Sequence, residues 1–195
     1  RPSRVVERGQ LMGAQAFDDR RIVLAGFGGQ GVLFTGKALA YAGLKIGKEV
    51  SWLPSYGPEM RGGTANCSVT VSDEPIGSPI VDKPDVLIAM NLPSLEKYIG
   101  ETEKGGYVIF DSSLIMPQDT GDEVITIGIP ATKLASDNGL EGLANMIILG
   151  KTLKETGILT LEQIKSSLSQ TIPAKKAELL TKNIKAIELG YNYKG

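Results

Sequence analysis

The 195-residue sequence contains no histidine and a single cysteine, Cys67. A Ser-His-Asp triad, a zinc site of the usual His/Cys kind and a four-cysteine iron–sulfur cluster therefore cannot be assembled from this chain alone. One cysteine cannot form an internal disulfide, and no stretch approaches the roughly 18 consecutive apolar residues of a membrane span. A reducing, cytoplasmic setting without membrane attachment is the expectation, with Cys67 a small buried strand residue. Charge of one sign is also missing: 21 Lys and Arg against 22 Asp and Glu leave a net charge of −1. That balance argues against nucleic acid as a partner bound through bulk charge.

What the chain does have is one domain's worth of alternating apolar runs. Residues 1–20 carry Arg1, Arg4, Glu7, Arg8, Asp18, Asp19 and Arg20 around scattered apolar positions, so they read as a tail. Met12 is a candidate natural start, with residues 1–11 an added extension. Residues 21–195 read as a single α/β domain with a helical C-terminal part.

Ile22-Val23-Leu24-Ala25 is a short continuous apolar run, the mark of a strand buried on both faces. A helix over Gln30 to Gly47 and a strand over Val50 to Pro54 complete a βαβ unit, whose crossover is expected to be right-handed. Ala65 to Val71 then alternates with period two. It follows too closely on the preceding strand for a helical crossover, so an antiparallel strand is expected in an otherwise parallel sheet. Apolar runs at Asp85–Met90, Tyr107–Asp111 and Val124–Ile129 supply further strands, with a short helix around Ser94 to Ile99 capped near Pro93-Ser94. Helical patterns fill 131–137, 140–156, 161–169 and 174–190. The fold class is thus a Rossmann-like, mixed but mostly parallel sheet flanked by helices.

The first strand runs directly into Gly26-Phe27-Gly28-Gly29-Gln30-Gly31 and then a helix, the G-x-G-x-x-G spacing in its proper context. Glycines permit positive φ and close backbone approach, and the free N–H groups of a helix start attract an anion. A dinucleotide site also needs an acidic residue about 20 positions on, at the end of the second strand. Here that end reads Leu53-Pro54-Ser55-Tyr56. A stand-alone NAD(P)-binding oxidoreductase is therefore the secondary reading, beside a loop used only for tight packing. A Walker loop is excluded, since Gly36-Lys37 is followed by Ala38 rather than a hydroxyl residue.

A second turn-rich element, Ser55-Tyr56-Gly57-Pro58-Glu59-Met60-Arg61-Gly62-Gly63, brings an aromatic ring and a guanidinium to the carboxyl end of the second strand. In open α/β sheets ligands bind at that edge, and arginine is a natural partner for phosphate or carboxylate. The alternative is that Arg61 pairs with Glu59 and the loop is structural.

These two glycine elements, together with Asp85-Val86-Leu87-Ile88-Ala89-Met90-Asn91 and the stretch from Pro130-Ala131-Thr132 through Asn145 to Leu149-Gly150, resemble the gamma subunit of 2-oxoacid:ferredoxin oxidoreductases. The resemblance runs in order over about residues 21 to 190. It implies a subunit of an enzyme complex that oxidatively decarboxylates a 2-oxoacid to acyl-coenzyme A and reduces ferredoxin. It further implies that thiamine diphosphate, magnesium and iron–sulfur clusters sit on alpha, beta and ferredoxin-like delta partners, and that the isolated chain is inactive. Gly26, Gly28, Gly29, Gln30, Gly31, Tyr56, Arg61 and Gly62 are then candidates to border a coenzyme A channel or a subunit contact. No catalytic residue and no metal ligand is assigned.

Leu140 to Leu153 is apolar around most of a helix circumference, so part of it is expected to face a sister chain or a second copy of this one, the alternative being an ordinary central helix. Ala174 to Leu189 is amphipathic, with lysines on a solvated face.

Overall fold

The computed structural model describes residues 19–56, 64–116 and 119–195. The expected tail over 1–18, and Arg61 and Gly62 of the second glycine element, lie outside the described residues; of Tyr56 only the backbone is described.

The described strands form one six-stranded sheet in the order β2-β3-β1-β4-β5-β6. Strand β1 (Asp19–Phe27) lies inside it, pairing antiparallel with β3 (Thr64–Ser72) and parallel with β4 (Val86–Ala89). It starts two residues earlier than the tail boundary allowed, because Asp19 and Arg20 pair with Ser72 and Val71. Strands β5 (Tyr107–Asp111) and β6 (Ile125–Ile129) continue the parallel side, and β2 (Glu49–Tyr56) is the opposite edge.

The continuous apolar run of β1 feeds two cores, as period two requires. Ile22 and Leu24 join the larger core, while Val23 joins a smaller one with Leu87, Ala89, Val108 and Phe110. Helix α1 (Val32–Lys45) covers the first face and α2 (Leu92–Ile99) the second. The α2 cap is Asn91, just ahead of the Pro93-Ser94 pair, and its side chain accepts from the Ser94 N–H at 2.9 Å.

The antiparallel strand expected after β2 is β3, and it inserts between β1 and β2. The β1–α1–β2 unit is thus split: its two strands run parallel but do not touch.

The remaining helices stack on the larger core: α3 (Ala131–Asp137), α4 (Ala144–Thr156), α5 (Leu161–Thr171) and α6 (Ala177–Tyr191). Helix α4 begins at Ala144 rather than at 140, because Gly142 has φ +83° and turns the chain just before it. A one-turn 3₁₀ segment, Ala174–Lys176, precedes α6 where a single helix was expected.

The expectation that α4 faces another subunit is not met. Residues Asn145 through Leu153 are all buried by this chain's own elements, chiefly α6, α3 and β5. Gly150 and Gly190 let α4 and α6 meet backbone to backbone: a Cβ on either would overlap the Ile187 or Ile147 carbonyl oxygen. The all-round apolar sequence of α4 is that of a central helix.

Candidate functional site

The chain leaves β1 toward β2 on one side of the sheet, through α1, while its neighbour β4 leads through α2 toward β5 on the other. The carboxyl ends of β1 and β4 therefore flank a topological switch point, the place where open α/β sheets leave a crevice. The glycine loop sits there. Gly29 (φ +90°) and Gly31 (φ +76°) adopt the left-handed backbone that the turn into α1 needs. Gly26 is required by packing instead: a Cβ there would stand 2.7 Å from Oε1 of Gln30 and 2.9 Å from Cβ of Met90. Gly28 is half-buried in the turn.

Gln30 closes this loop on itself and ties it to β4. Its Oε1 accepts from the Phe27 N–H at 2.6 Å while its own N–H donates to the Phe27 carbonyl at 3.2 Å. Its Nε2 donates to the Met90 carbonyl at 3.1 Å, and Asn91 Nδ2 reaches Oε1 at 3.4 Å. Gln30 is thus a latch, with both polar atoms of its side chain engaged within the protein.

The other support comes from α4. Asn145, 5% exposed, donates through Nδ2 to the Gly31 carbonyl at 3.2 Å and to Thr35 Oγ1 at 3.1 Å. Its Oδ1 is buried without a hydrogen-bond partner. Asn145 entered the sequence analysis as part of the 130–150 stretch that carries the family resemblance, and no site role was assigned to it.

Beside the loop opens a cleft of about 400 Å3 lined by Gly29, Gln30, Met90, Thr132, Ser136 and Glu141, with Ala135 and Ala144 also in its lining. Thr132 is held by Asp111, a fully buried carboxylate at the end of β5. Asp111 accepts from the Thr132 hydroxyl and from its N–H at 3.2 Å, and so serves as the cap that α3 lacks on its own segment. These cleft residues come from four separate segments, and the spacing of the sequence singled out only Gly29 and Gln30 among them.

Two groups with displaced pKa values lie away from the cleft. Asp85, at the amino end of β4, is pushed up to about 6 by burial, against the opposing pull of Arg20 and the Arg21 N–H. Cys67 is pushed up to about 12 by burial in the larger core, so its thiol is neither nucleophile nor ligand at neutral pH. Among the described residues no group of three or more His, Cys, Asp or Glu is placed to hold a metal ion. No described helix is long and apolar enough to cross a membrane.

Register settles where the second glycine element departs from the sheet. Ala65 of β3 pairs with Gly26 on one side and with Tyr56 on the other. The Tyr56 backbone thus lies two strand spacings, about 10 Å, from the glycine loop along the same edge. The same insertion of β3 counts against dinucleotide binding, because the strand whose end would carry a ribose-binding acid is not β1's neighbour.

A glycine loop at the switch point of a mostly parallel sheet, without the adjacent acid, defines a Rossmann-like α/β subunit fold with no dinucleotide signature. The family model for pyruvate ferredoxin/flavodoxin oxidoreductase matches residues 21–193. The chain belongs to that family. Among similar proteins, ketoisovalerate oxidoreductase subunit VorA of Methanothermobacter thermautotrophicus is 40% identical over 176 residues, covering 89% of this chain and 36% of the relative. The 2-oxoglutarate synthase subunit KorC of Methanocaldococcus jannaschii is 35% identical over 175 residues, covering 88% of this chain and 92% of the relative. The chain therefore spans about a third of VorA but nearly all of KorC.

Among solved structures, the gamma subunit of a keto/oxoacid ferredoxin oxidoreductase from Geobacter sulfurreducens superposes with TM-score 0.77 at 27% identity, covering 89% of this chain and 94% of that one. The 2-oxoglutarate:ferredoxin oxidoreductase of Magnetococcus marinus, solved with 2-oxoglutarate, coenzyme A and succinyl-CoA bound, gives TM-score 0.81 at 27% identity. That match covers 89% of this chain and 30% of the other. The mixed α/β sheet with its helical C-terminal part is thus the gamma-subunit fold.

Proposed function

We propose that this chain is the gamma subunit of a multi-subunit 2-oxoacid:ferredoxin oxidoreductase. The reaction is 2-oxoacid plus coenzyme A plus two oxidised ferredoxins giving acyl-coenzyme A, carbon dioxide, a proton and two reduced ferredoxins. Alpha, beta and delta-type partners carry the thiamine diphosphate, magnesium and iron–sulfur clusters, and the complex works in the cytoplasm. What carries this reading is the share of the relatives matched: the aligned stretch makes up nearly all of KorC and about a third of the longer VorA.

Within the complex this chain supplies shape rather than cofactor chemistry. Its side chains suit that role, with no histidine in the sequence and the one thiol buried. The loop Gly26, Gly28, Gly29, Gln30 and Gly31, together with Tyr56, Arg61 and Gly62 of the second glycine element, borders the path of coenzyme A. Arg61 is assigned to the phosphates, since a guanidinium binds them in bidentate fashion.

Co-expression with candidate alpha, beta and delta subunits tests the assignment. Recovery of one complex with coenzyme A-dependent ferredoxin reduction supports it. Saturable micromolar NAD(H) binding by the chain alone would support the stand-alone oxidoreductase instead. An Arg61→Ala complex with an unchanged coenzyme A dissociation constant would remove Arg61 from the path.

A further inference from the structure

A groove of about 250 Å3 lies between α1 and α5 and shares no lining residue with the cleft beside the glycine loop. Lys37 and Tyr41 of α1 form one wall, and Ser167, Gln170 and Thr171 of α5 the other. The two α5 hydroxyls spend their protons within the protein: Ser167 donates to the Ala38 carbonyl at 3.2 Å and Thr171 to the Ser167 carbonyl at 2.8 Å. The donors left for a guest are the Lys37 ammonium, the Tyr41 hydroxyl and the Gln170 amide. Lys37 Nζ stands 5.7 Å from the centroid of the Tyr41 ring, a contact that positions the cation without neutralising it.

The charge on this face is of one sign. Helix α1 contains no Asp or Glu, and both of its lysines turn toward α5, Lys37 into the groove and Lys45 onto the Ser166 hydroxyl. Among the described residues neither lysine has a carboxylate partner. Between them Tyr41 and Leu44 are 48% and 55% exposed, at i+4 and i+7 from Lys37 and so on one stripe of the helix. Two unmatched cations about 12 Å apart along α1, with apolar side chains between them, are complementary to two carboxylates at that separation with aliphatic side chains between. A polyphosphate would instead lay its charge across the exposed ring and leucine. Residues 1–18 of this chain have the wrong sign for the groove, with Arg1, Arg4 and Arg8 against Glu7 and Asp18. A second copy meeting this face symmetrically would bring lysines to lysines.

We infer that the α1–α5 groove docks an acidic amphipathic helix of a partner subunit, its carboxylates on Lys37 and Lys45 and its aliphatic side chains on Tyr41 and Leu44. This rests on the reading of the chain as one subunit of a complex, and it names the face through which the chain is held. Acids at i and i+8 of a helix with an aliphatic residue at i+4 have the required spacing, and a groove between two helices is the usual seat for such a helix.

The test uses the complex assembled from this chain and its partner subunits. A carbodiimide, which joins an ammonium directly to a carboxylate, should link Lys37 or Lys45 to an Asp or Glu of one partner helix. Acetic anhydride should modify both lysines severalfold more slowly in the complex than in the free chain. Lys37→Glu with Lys45→Glu should raise the dissociation constant for the partner subunits about tenfold or more, most strongly at low salt, and exchanging the linked carboxylate for lysine should restore binding. The linking and labelling are made on the unaltered chain, so they decide the matter whatever the stability of the variant. Equal labelling of Lys37 and Lys45 in the free and assembled chain, or no link from either to a partner helix, overturns this inference and leaves the proposed function standing. Protection that appears in the free chain as its concentration rises assigns the face to a second copy and overturns it too. A chain that assembles with no such subunits overturns the proposed function and this inference together.

Discussion

The Asn145 side-chain amide donates to the Gly31 carbonyl at 3.2 Å, so the start of α4 holds the residue from which α1 begins. The contact spans 114 positions of sequence and ties the glycine loop to the central helix of the C-terminal half. The two residues are mutually dependent, because any Cβ at position 31 would overlap the Asn145 amide.

Asn145→Ala should therefore destabilise the fold by about 0.5–1.5 kcal/mol, since it removes the Asn145 hydrogen bonds while the Gly31 carbonyl keeps the Thr35 N–H and hydroxyl as donors. Gly31→Ala should cost a similar amount or more, combining the overlap with an unfavourable φ of +76°. Urea unfolding of the purified chain measures both. If the two effects share one contact, the double variant should fall short of their sum.

The helix pair α4–α6 makes a sharper prediction. Gly150→Ala and Gly190→Ala each place a methyl group against backbone carbonyl oxygen, which cannot move aside as a side-chain end would. Each should cost about 3 kcal/mol or more and yield little soluble protein. Gly77→Ala, with nothing within 4 Å of the new carbon and no positive φ, should stay within about 0.5 kcal/mol of the parent.

Much of this architecture was legible in the sequence, for physical reasons. The apolar run 22–25 and the glycines after it fix a central strand and its turn, and the short connection before Ala65 requires an antiparallel neighbour. The insertion of β3 between β1 and β2 was not legible, because spacing sets direction but not strand order. Gly142 was read as a small residue within a helix, whereas its positive φ ends the turn before α4. An all-apolar helix signals burial without naming what buries it, and here α6 of the same chain does so. The cleft was invisible because Met90, Thr132, Ser136 and Glu141 meet only through topology.

Asp85 predicts an unusual pH dependence. Its folded value of about 6 lies above the ordinary 3.8, so the folded chain binds the proton more tightly than the unfolded chain does. Stability contributed by this group is therefore greatest below about pH 4 and declines as pH rises toward and through 6. Asp85→Asn keeps an acceptor for the Arg21 N–H and removes the titration. The variant should gain on the parent in urea midpoint between pH 4 and 7, whereas a constant difference across that range would contradict the assignment.

Cys67 gives a chemical readout of the core. Its thiol, fully buried and pushed up to about 12, should resist an aromatic disulfide reagent at pH 8 in the folded chain. It should react at once in 6 M guanidinium, a concentration of about the level that unfolds even very stable domains. Rapid labelling of the folded chain would mean that β3 does not seat this side chain against α1.

On the proposed function, this chain shapes a site whose redox chemistry resides on other subunits. The most direct measurement is 2-oxoacid- and coenzyme A-dependent ferredoxin reduction by the isolated chain, by the assembled complex and by the complex prepared without it. Activity is expected from the full assembly alone. Turnover by the single chain, or undiminished turnover in its absence, would contradict it.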